Sequence, residues 1–568
     1  MEGISRRGFL GWTAWTAAGL GAARLLGVPV LSAAEAPASP TLRAIDQFVE
    51  RHRKERGLPG LTLGIADRNG VVAVRTYGHA DVKTGLAVTP QNLFEIGSIT
   101  KSFVGITLLQ LREEGKLDLN RPIREYLPWL RIESSHAPIT THHLLTHTSG
   151  LPNPLSLPSI PLWTAHAPGE HFHYCNAGYQ ILGLLIETLD KRPLRESLRT
   201  RIFKPLGMNA SEPVISHETR QRMPVSYWPL YDDRPFQRHG PIVEAPHIAM
   251  DNAAGCIAST PGDMALYMRM LLNNGRMGRT PQGRLISEES FALFMKPAIP
   301  SPGFGEGAGY GYGIAVQPVE GRTLLRHTGG MVSFSSALQV DLDAGFGAFA
   351  SVNASLAGYR PNAVAAYALA VLRAEAEKKP LPPMPELDDP YKVANAADYV
   401  GTYTAPAGSD TRKLVLSAEG TLLKLVHKGE QIPLEIVAPD HFYVSHPDFA
   451  LFPLSFERTE KTVTEASSGG DWYAGERYTG SRTFETPPEW RAFAGHYRNE
   501  NPWEGSFRVV LRKGRLWLGG DPLVPLGPGL FRLGEEEHAP NRIRFEDVAN
   551  GKALRAVVSG VEYRRIET

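Results

Sequence analysis

The hexapeptide DYVGTY, residues 398–403, returns as AFAGHY at 492–497, an offset of 94. The same offset lays SAEGTLLKL on LRKGRLWLG through Gly420 and Gly514, and an offset of 89 lays PLSFE on RIRFE. A chain that repeats itself over such a stretch is expected to build one unit twice. Two units are too few for a solenoid, whose repeats must cover one another's apolar faces. Within each unit, short apolar runs separated by turns call for β structure. Two small β-barrel or meander modules are therefore expected, at residues 391–484 and 490–568, parted by ETPPEW. Their role stays open between plain packing and a lid or oligomerisation surface.

Ahead of the first module, KKPLPPMPELDDP (378–390) holds five prolines and reads as a stiff, extended linker, with its boundary at 377–390. Residues 41–376 read as one larger domain. TLRAIDQFVERHRKER (41–56) places Leu42, Ile45, Phe48 and Val49 at helical spacing. LTLGIAD and VVAVRTYG follow, joined through Arg68-Asn69-Gly70, a strong hairpin signal. SFVGITLLQLREEGKL predicts an amphipathic helix stopped by Gly115. After a mostly helical middle, YGIAV, TLLRH, SALQVDL and GAFASV read as antiparallel strands, closed by an Ala- and Leu-rich helix at 361–376. That order predicts an α+β domain: an antiparallel sheet, shared by the terminal segments and flanked by helices, plus a helical subdomain.

Charge excludes some partners. Lys+Arg is 60 and Asp+Glu 59 in 568 residues, with no basic stripe, so no nucleic-acid partner is expected. The two cysteines, Cys175 and Cys256, form no Cys-x-x-Cys pair, which rules out a zinc ribbon or thioredoxin-like site. A disulfide and two buried thiols both remain open. Residues 1–36 look like a leader rather than part of the fold. SRRGFL opens an apolar tract ending at Ala23, with LSAAEA offering small residues for cleavage. The tract is short for a membrane span, and its paired arginines resemble a twin-arginine export signal. Arg24 interrupts the run. Since no later stretch reaches 18 apolar residues, the mature protein is expected to be exported and soluble, without a transmembrane segment.

Three short motifs carry chemistry. FEIGSITKSF sets Ser98 three residues before Lys101 at a predicted helix start. Ser98 could be a helix cap, or a nucleophile whose base lies on the same face one turn on, and the two readings are compatible. FHYCNAGY supplies Tyr174-x-Asn176: a hydroxyl able to shuttle a proton, and an amide able to orient lysine and substrate. A second Tyr-x-Asn, at Tyr497 and Asn499, falls in the last module and reads as incidental. LLRHTGG ends an apolar strand with His327, Thr328, Gly329 and Gly330, where backbone N–H groups can hold an oxyanion. Lys83-Thr84-Gly85 precedes the serine and reads as a hairpin turn. His142, His143 and His147 include an i,i+4 pair, but no glutamate completes a His-Glu-x-x-His motif, so no metal or other cofactor is expected. No Gly-x-Ser-x-Gly elbow occurs.

Taken in this order, the motifs resemble those of the serine β-lactamase and penicillin-binding superfamily. The likeness is greatest to the class C-like branch, which includes family VIII esterases, D-aminopeptidases and DD-peptidases. The resemblance extends to ITTHHLLTHTSGLP (139–152) and AAGCIASTPGDMALYM (253–268). It implies Ser98 as the acylated nucleophile, Lys101 and Tyr174 as the proton-transfer pair, and the N–H groups of Ser98 and Gly330 as the oxyanion hole. It further implies Asn176, His327, Thr328 and Gly329 as substrate contacts. Where class C enzymes carry lysine, this chain has His327, which weakens attraction to a substrate carboxylate. The expectation is a serine hydrolase acting on a small molecule or short peptide, foremost a small-peptide peptidase, with D-residues included. A family VIII-type esterase or weak β-lactamase is the alternative, and a non-turnover receptor for cell-wall fragments the rival of another class. A homo-oligomer is left open.

Overall fold

In the computed structural model the described residues are 39–567, apart from 155–156, 159–160, 279–282, 357, 387 and 407–411. The expected leader, residues 1–36, lies outside them. Among the described residues no helix is long and apolar enough to cross a membrane.

The first domain is built on a nine-stranded sheet. Its strands are β1 (Gly60–Asp67), β2 (Val71–Asp81), β3 (Leu86–Ala87), β4 (Ile299–Pro300), β5 (Gly309–Tyr310), β6 (Ala315–Val319), β7 (Arg322–Gly330), β8 (Ser335–Asp341) and β9 (Phe346–Val352). The spatial order is β4-β5-β6-β7-β8-β9-β1-β2-β3, antiparallel throughout. The two ends of the domain thus meet where β1 pairs with β9, Leu61 opposite Val352. Alternation along β9 divides the core: Ala348, Ala350 and Val352 face α1 (Pro40–Glu55) and the closing helix, while Phe349 faces the helical subdomain. Buried against that second face are α2 (Thr100–Glu113), α3 (Asn176–Asp190) and α4 (Pro261–Leu272). The closing helix, α5 (Asn362–Ala376), packs on α1 across the first face.

The linker carries no helix or strand over its described residues. Arg56 and Arg238 both reach Asp388, at 3.0 and 2.9 Å, and pin its end to the first domain. Two closed eight-stranded barrels follow. The first is β10 (Gly401–Thr404), β11 (Lys413–Glu419), β12 (Leu422–His427), β13 (Glu430–Ala438), β14 (His441–Val444), β15 (Leu454–Thr459), β16 (Thr462–Ser468) and β17 (Asp471–Gly475). The second is β18 (Gly495–Arg498), β19 (Ser506–Arg512), β20 (Arg515–Leu518), β21 (Asp521–Gly527), β22 (Leu530–Leu533), β23 (Arg542–Ala549), β24 (Lys552–Val558) and β25 (Val561–Ile566).

The repeated peptides do the same work in each barrel. Tyr403 donates its hydroxyl proton to the Tyr399 carbonyl (2.9 Å), and Tyr497 does so to that of Phe493 (2.8 Å). Phe456 and Phe545, from the second matching piece, pack against those tyrosines. Closure removes the sheet edges that a lone meander would expose.

Candidate active site

Ser98 lies in a single 3-10 turn, Gly97–Ile99, directly ahead of α2. Its hydroxyl does not cap that helix: Ile99 occupies the cap position with no side-chain hydrogen bond. The helix-cap reading of the serine is therefore not met, and its oxygen faces Lys101 instead. Lys101 sits in the first turn of α2 and is wholly buried. Its ammonium nitrogen donates to Ser98 Oγ (3.0 Å), Asn176 Oδ1 (2.8 Å) and the Ala254 carbonyl (2.9 Å). Burial, with no carboxylate beside it among the described residues, brings the Lys101 amine down to about 7. A neutral amine is therefore accessible near neutral pH, in hydrogen-bond contact with a serine hydroxyl.

Burial lifts the Tyr174 phenol above the usual range, against a smaller opposing effect of the Ser98 hydroxyl. Its ring lies 4.9 Å from Lys101 Nζ and 4.2 Å from the His147 ring. The segment carrying Tyr174 is held by a histidine that the sequence offered as half of an i,i+4 pair. The helix over His142 and His143 ends at Leu145, and His147 adopts φ 58°. From there its Nδ1 accepts the Cys175 N–H (3.0 Å) and its carbonyl the His173 N–H (2.8 Å). Cys175 then caps α3, its sulfur accepting from Gly178 N–H at 3.2 Å. Cys175 and Cys256 are separate buried thiols, each pushed up to about 12 by burial. Neither is poised to react.

The strand side of the site follows from register. Met331 N–H bonds the Phe334 carbonyl, so in the β7–β8 ladder Gly330 and Ser335 form the next, non-hydrogen-bonded pair. Gly330 N–H must then point away from β8. On that side β6 pairs only as far as Arg326, and the Gly97 backbone lies against Gly330 instead. This brings the Gly330 and Ser98 backbones to one spot. Gly329 acts differently from its expected substrate contact: a Cβ there would stand 2.0 Å from the Ile96 carbonyl oxygen, so its hydrogen lets the serine turn dock on β7. Gly97, at φ 52°, needs the same freedom. His327 is turned into the core, its Nε2 on the Tyr310 hydroxyl (2.9 Å) and its Nδ1 on the Thr328 carbonyl (2.7 Å). Burial holds its imidazole neutral, down to about 3. It lines the wall behind Tyr174 rather than presenting a polar atom. Thr328 remains half-buried on the open edge.

Two groups escaped sequence reading. Arg360, just before α5, lies over Gly330 so closely that a Cβ on the glycine would be 2.0 Å from its Nη2. Its Nη1 donates to Ser335 Oγ and the Tyr359 carbonyl, and among the described residues no carboxylate pairs with it. Arg360 thus places a guanidinium at the edge where His327 stands in place of lysine. Asn153 is the second. Its Oδ1 accepts the Asn176 N–H (2.7 Å), and its own N–H donates to Asn541 Oδ1 in the second barrel (3.0 Å). Arg360 sits in no local pattern, and Asn153 lies 23 residues from the side it serves. Only the fold joins them to the site.

Among the described residues, the one group with metal-ligand proximity is His427, His446 and Asp448 on the first barrel. Asp448 already holds Lys428 Nζ and His427 (2.8 Å each), and His446 Nδ1 accepts the Asp448 N–H. That trio is satisfied without an ion.

Comparison with known proteins agrees with this geometry. The Beta-lactamase family model matches residues 45–374, more than half of the chain, so the protein belongs to the beta-lactamase family of serine hydrolases. Protein flp of Staphylococcus aureus (strain MW2) is 26% identical over 250 residues, 40% of this chain and 48% of its own length. An uncharacterized protein of Mycobacterium tuberculosis, MT1414, is 27% identical over 277 residues, 42% of this chain and 67% of its own. The chain spans about half the length of the first of these relatives. The octameric penicillin-binding protein homologue from Pyrococcus abyssi superposes with a TM-score of 0.54 at 26% identity, covering 76% of this chain and 99% of that one.

Proposed function

We propose that the protein is an exported serine hydrolase that cleaves the amide bond of a small peptide or amino-acid amide through an acyl-enzyme on Ser98. The observation that carries this reading is the 3.0 Å contact between Ser98 Oγ and a buried lysine that has no counter-ion among the described residues. In the reaction, Lys101 takes the Ser98 proton as Oγ bonds to the carbonyl carbon. The N–H groups of Ser98 and Gly330 hold the resulting oxyanion. Tyr174, protonated because burial raises its phenol, gives its proton to the departing nitrogen as the C–N bond breaks, and regains one from Lys101. Water then repeats the cycle on the ester, and Asn176 keeps the lysine aimed throughout.

The test joins labelling to turnover. A fluorophosphonate should label the wild type at Ser98 and leave Ser98→Ala unlabelled, and D-alanyl-p-nitroanilide should be turned over many times per enzyme. Turnover of p-nitrophenyl butyrate alone would make the protein an esterase. Labelling without any turnover would make it a receptor.

A further inference from the structure

His147 grips the catalytic tyrosine from three sides. It is wholly buried and stands at φ 58°, a left-handed conformation that histidine and asparagine adopt more readily than most residues. From there its carbonyl accepts the His173 N–H (2.8 Å) and its Nδ1 the Cys175 N–H (3.0 Å), the two peptide groups that flank Tyr174. Its ring lies 4.2 Å from the Tyr174 ring, and Phe172, Tyr179 and Tyr310 enclose it at 5.8, 5.0 and 4.8 Å. The imidazole cannot swing without moving several of these rings.

The protonation state is fixed by the same contacts. A nitrogen that accepts an N–H carries no proton, so the ring is the neutral tautomer with its proton on Nε2. Burial, with Lys101 and His327 nearby, keeps it neutral, well below the ordinary histidine value. That tautomer has a cost: Nε2 is buried with no hydrogen-bond partner among the described residues. A phenylalanine would avoid the unpaired donor but could not accept the Cys175 N–H. Such a cost is characteristic of a residue fixed by function rather than by stability.

We propose that His147 is a positioning residue for Tyr174, aiming its phenol at a departing atom that needs a proton. The proposal rests on the acyl-enzyme reading and narrows it, because His147 then sets how well amides and alkyl esters are cleaved relative to activated esters. When the C–N or C–O bond breaks, its electron pair goes to the departing atom, which takes the Tyr174 proton. p-Nitrophenolate leaves as the stable anion and needs none. The other parts of the site have their own anchors: Ser98 lies in the turn docked on β7, and Asn153 holds the Asn176 N–H at 2.7 Å. Loss of His147 should therefore fall on the Tyr174 step.

The test compares p-nitrophenyl butyrate, ethyl butyrate and D-alanyl-p-nitroanilide by kcat/KM, which reports acylation. His147→Phe keeps a ring and loses the acceptor. His147→Asn keeps an acceptor at the same place along the side chain, tolerates the left-handed backbone and loses the ring. In His147→Phe the values for ethyl butyrate and the anilide should fall about 100-fold, and that for p-nitrophenyl butyrate by no more than about threefold. His147→Asn should regain about tenfold or more of the loss. In a Tyr174→Phe background, His147→Phe should add little, since the group it positions is gone. Equal losses on all three substrates, or a loss that adds in full to that of Tyr174→Phe, overturn the proposal. Should His147→Phe fail to fold, His147→Gly, free at that backbone position, takes its place in each comparison.

If ethyl butyrate is cleaved and the anilide is not, the amide reading fails alone and the two esters still decide. If no substrate turns over, the hydrolase reading fails on its own, and hydrogen exchange over residues 172–177 judges the grip on Tyr174. Exchange that is faster in His147→Phe than in the wild type and in His147→Asn upholds the grip, and unchanged exchange overturns it.

Discussion

Asn541, in the β22–β23 loop of the second barrel, accepts the backbone N–H of Asn153 in the first domain at 3.0 Å. Asn153 in turn fixes Asn176, and Asn176 fixes Lys101. A chain of three hydrogen bonds thus links a barrel to the lysine that touches Ser98. Trp163 Nε1 on the Pro540 carbonyl (2.9 Å) and the stacking of His171 on His538 (3.8 Å) hold the same loop down. The loop of the second barrel is therefore packed on the segment that holds Asn176.

Asn541→Ala should therefore lower kcat by roughly five-fold, the effect of about 1 kcal/mol from one hydrogen bond. Asn153→Ala keeps its backbone bond to Asn541 but leaves the Asn176 N–H without its acceptor, and should cost more because that bond stands one step nearer Lys101. Thermal melts of both variants near the wild-type value would assign the loss to positioning. An unchanged kcat in Asn541→Ala would make the contact incidental.

The Lys101 amine at about 7 fixes the pH dependence. Burial lowers this pKa, so the protonated, non-basic form dominates below it. kcat/KM should rise about tenfold per pH unit up to that value and level off above. Asn176→Ala removes an acceptor that favours the charged ammonium, and should move the limb to lower pH. A pH–rate profile of the two enzymes decides, and a limb that stays in place would move the titrating role elsewhere.

Glu95 supplies a stability prediction. It is buried beneath the serine turn, where Ser333 Oγ at 3.4 Å is the one hydrogen-bond partner of its carboxylate among the described residues, and burial pushes its carboxyl up to about 8. In the unfolded chain such a group titrates near ~4.3. A folded pKa above the unfolded one means the stability is full below about 4.3 and declines as pH rises through about 8. Glu95→Gln should thus show a Tm advantage over the wild type that is small at pH 5 and grows towards pH 8. A difference independent of pH would mean that Glu95 is not the titrating group.

Much of this molecule was legible because its information is local. The Gly-x-Tyr repeats encode a bond from residue i to i−4, so both barrels could be expected before their strands were placed. Ser98 and Lys101 are one helical turn apart, and Tyr174 and Asn176 flank the start of α3. What could not be read depends on chain segments far apart. Arg360 meets Gly330 only because α5 begins beside β7. His327 was misjudged for a related reason: strand alternation decides whether a side chain faces substrate or core, and it faces the core.

The adjoining glycines of β7 should separate two roles in one pair of variants. At Gly329 an added methyl meets the Ile96 carbonyl, backbone that cannot swing aside without moving the serine turn. At Gly330 it meets the guanidinium of Arg360, the far end of a flexible side chain. Gly329→Ala should therefore lose both stability and Ser98 labelling, seen as a lower Tm and slower fluorophosphonate reaction. Gly330→Ala should keep its Tm while pushing Arg360 from its seat. If Arg360 attracts a substrate carboxylate, Gly330→Ala and Arg360→Ala should both reduce kcat/KM for a peptide with a free carboxylate more than for its amide. Loss of a charge-assisted contact predicts a drop of about tenfold or more in that ratio. Equal losses on the two substrates in Arg360→Ala would mean that the guanidinium only braces β7, through its bond to Ser335.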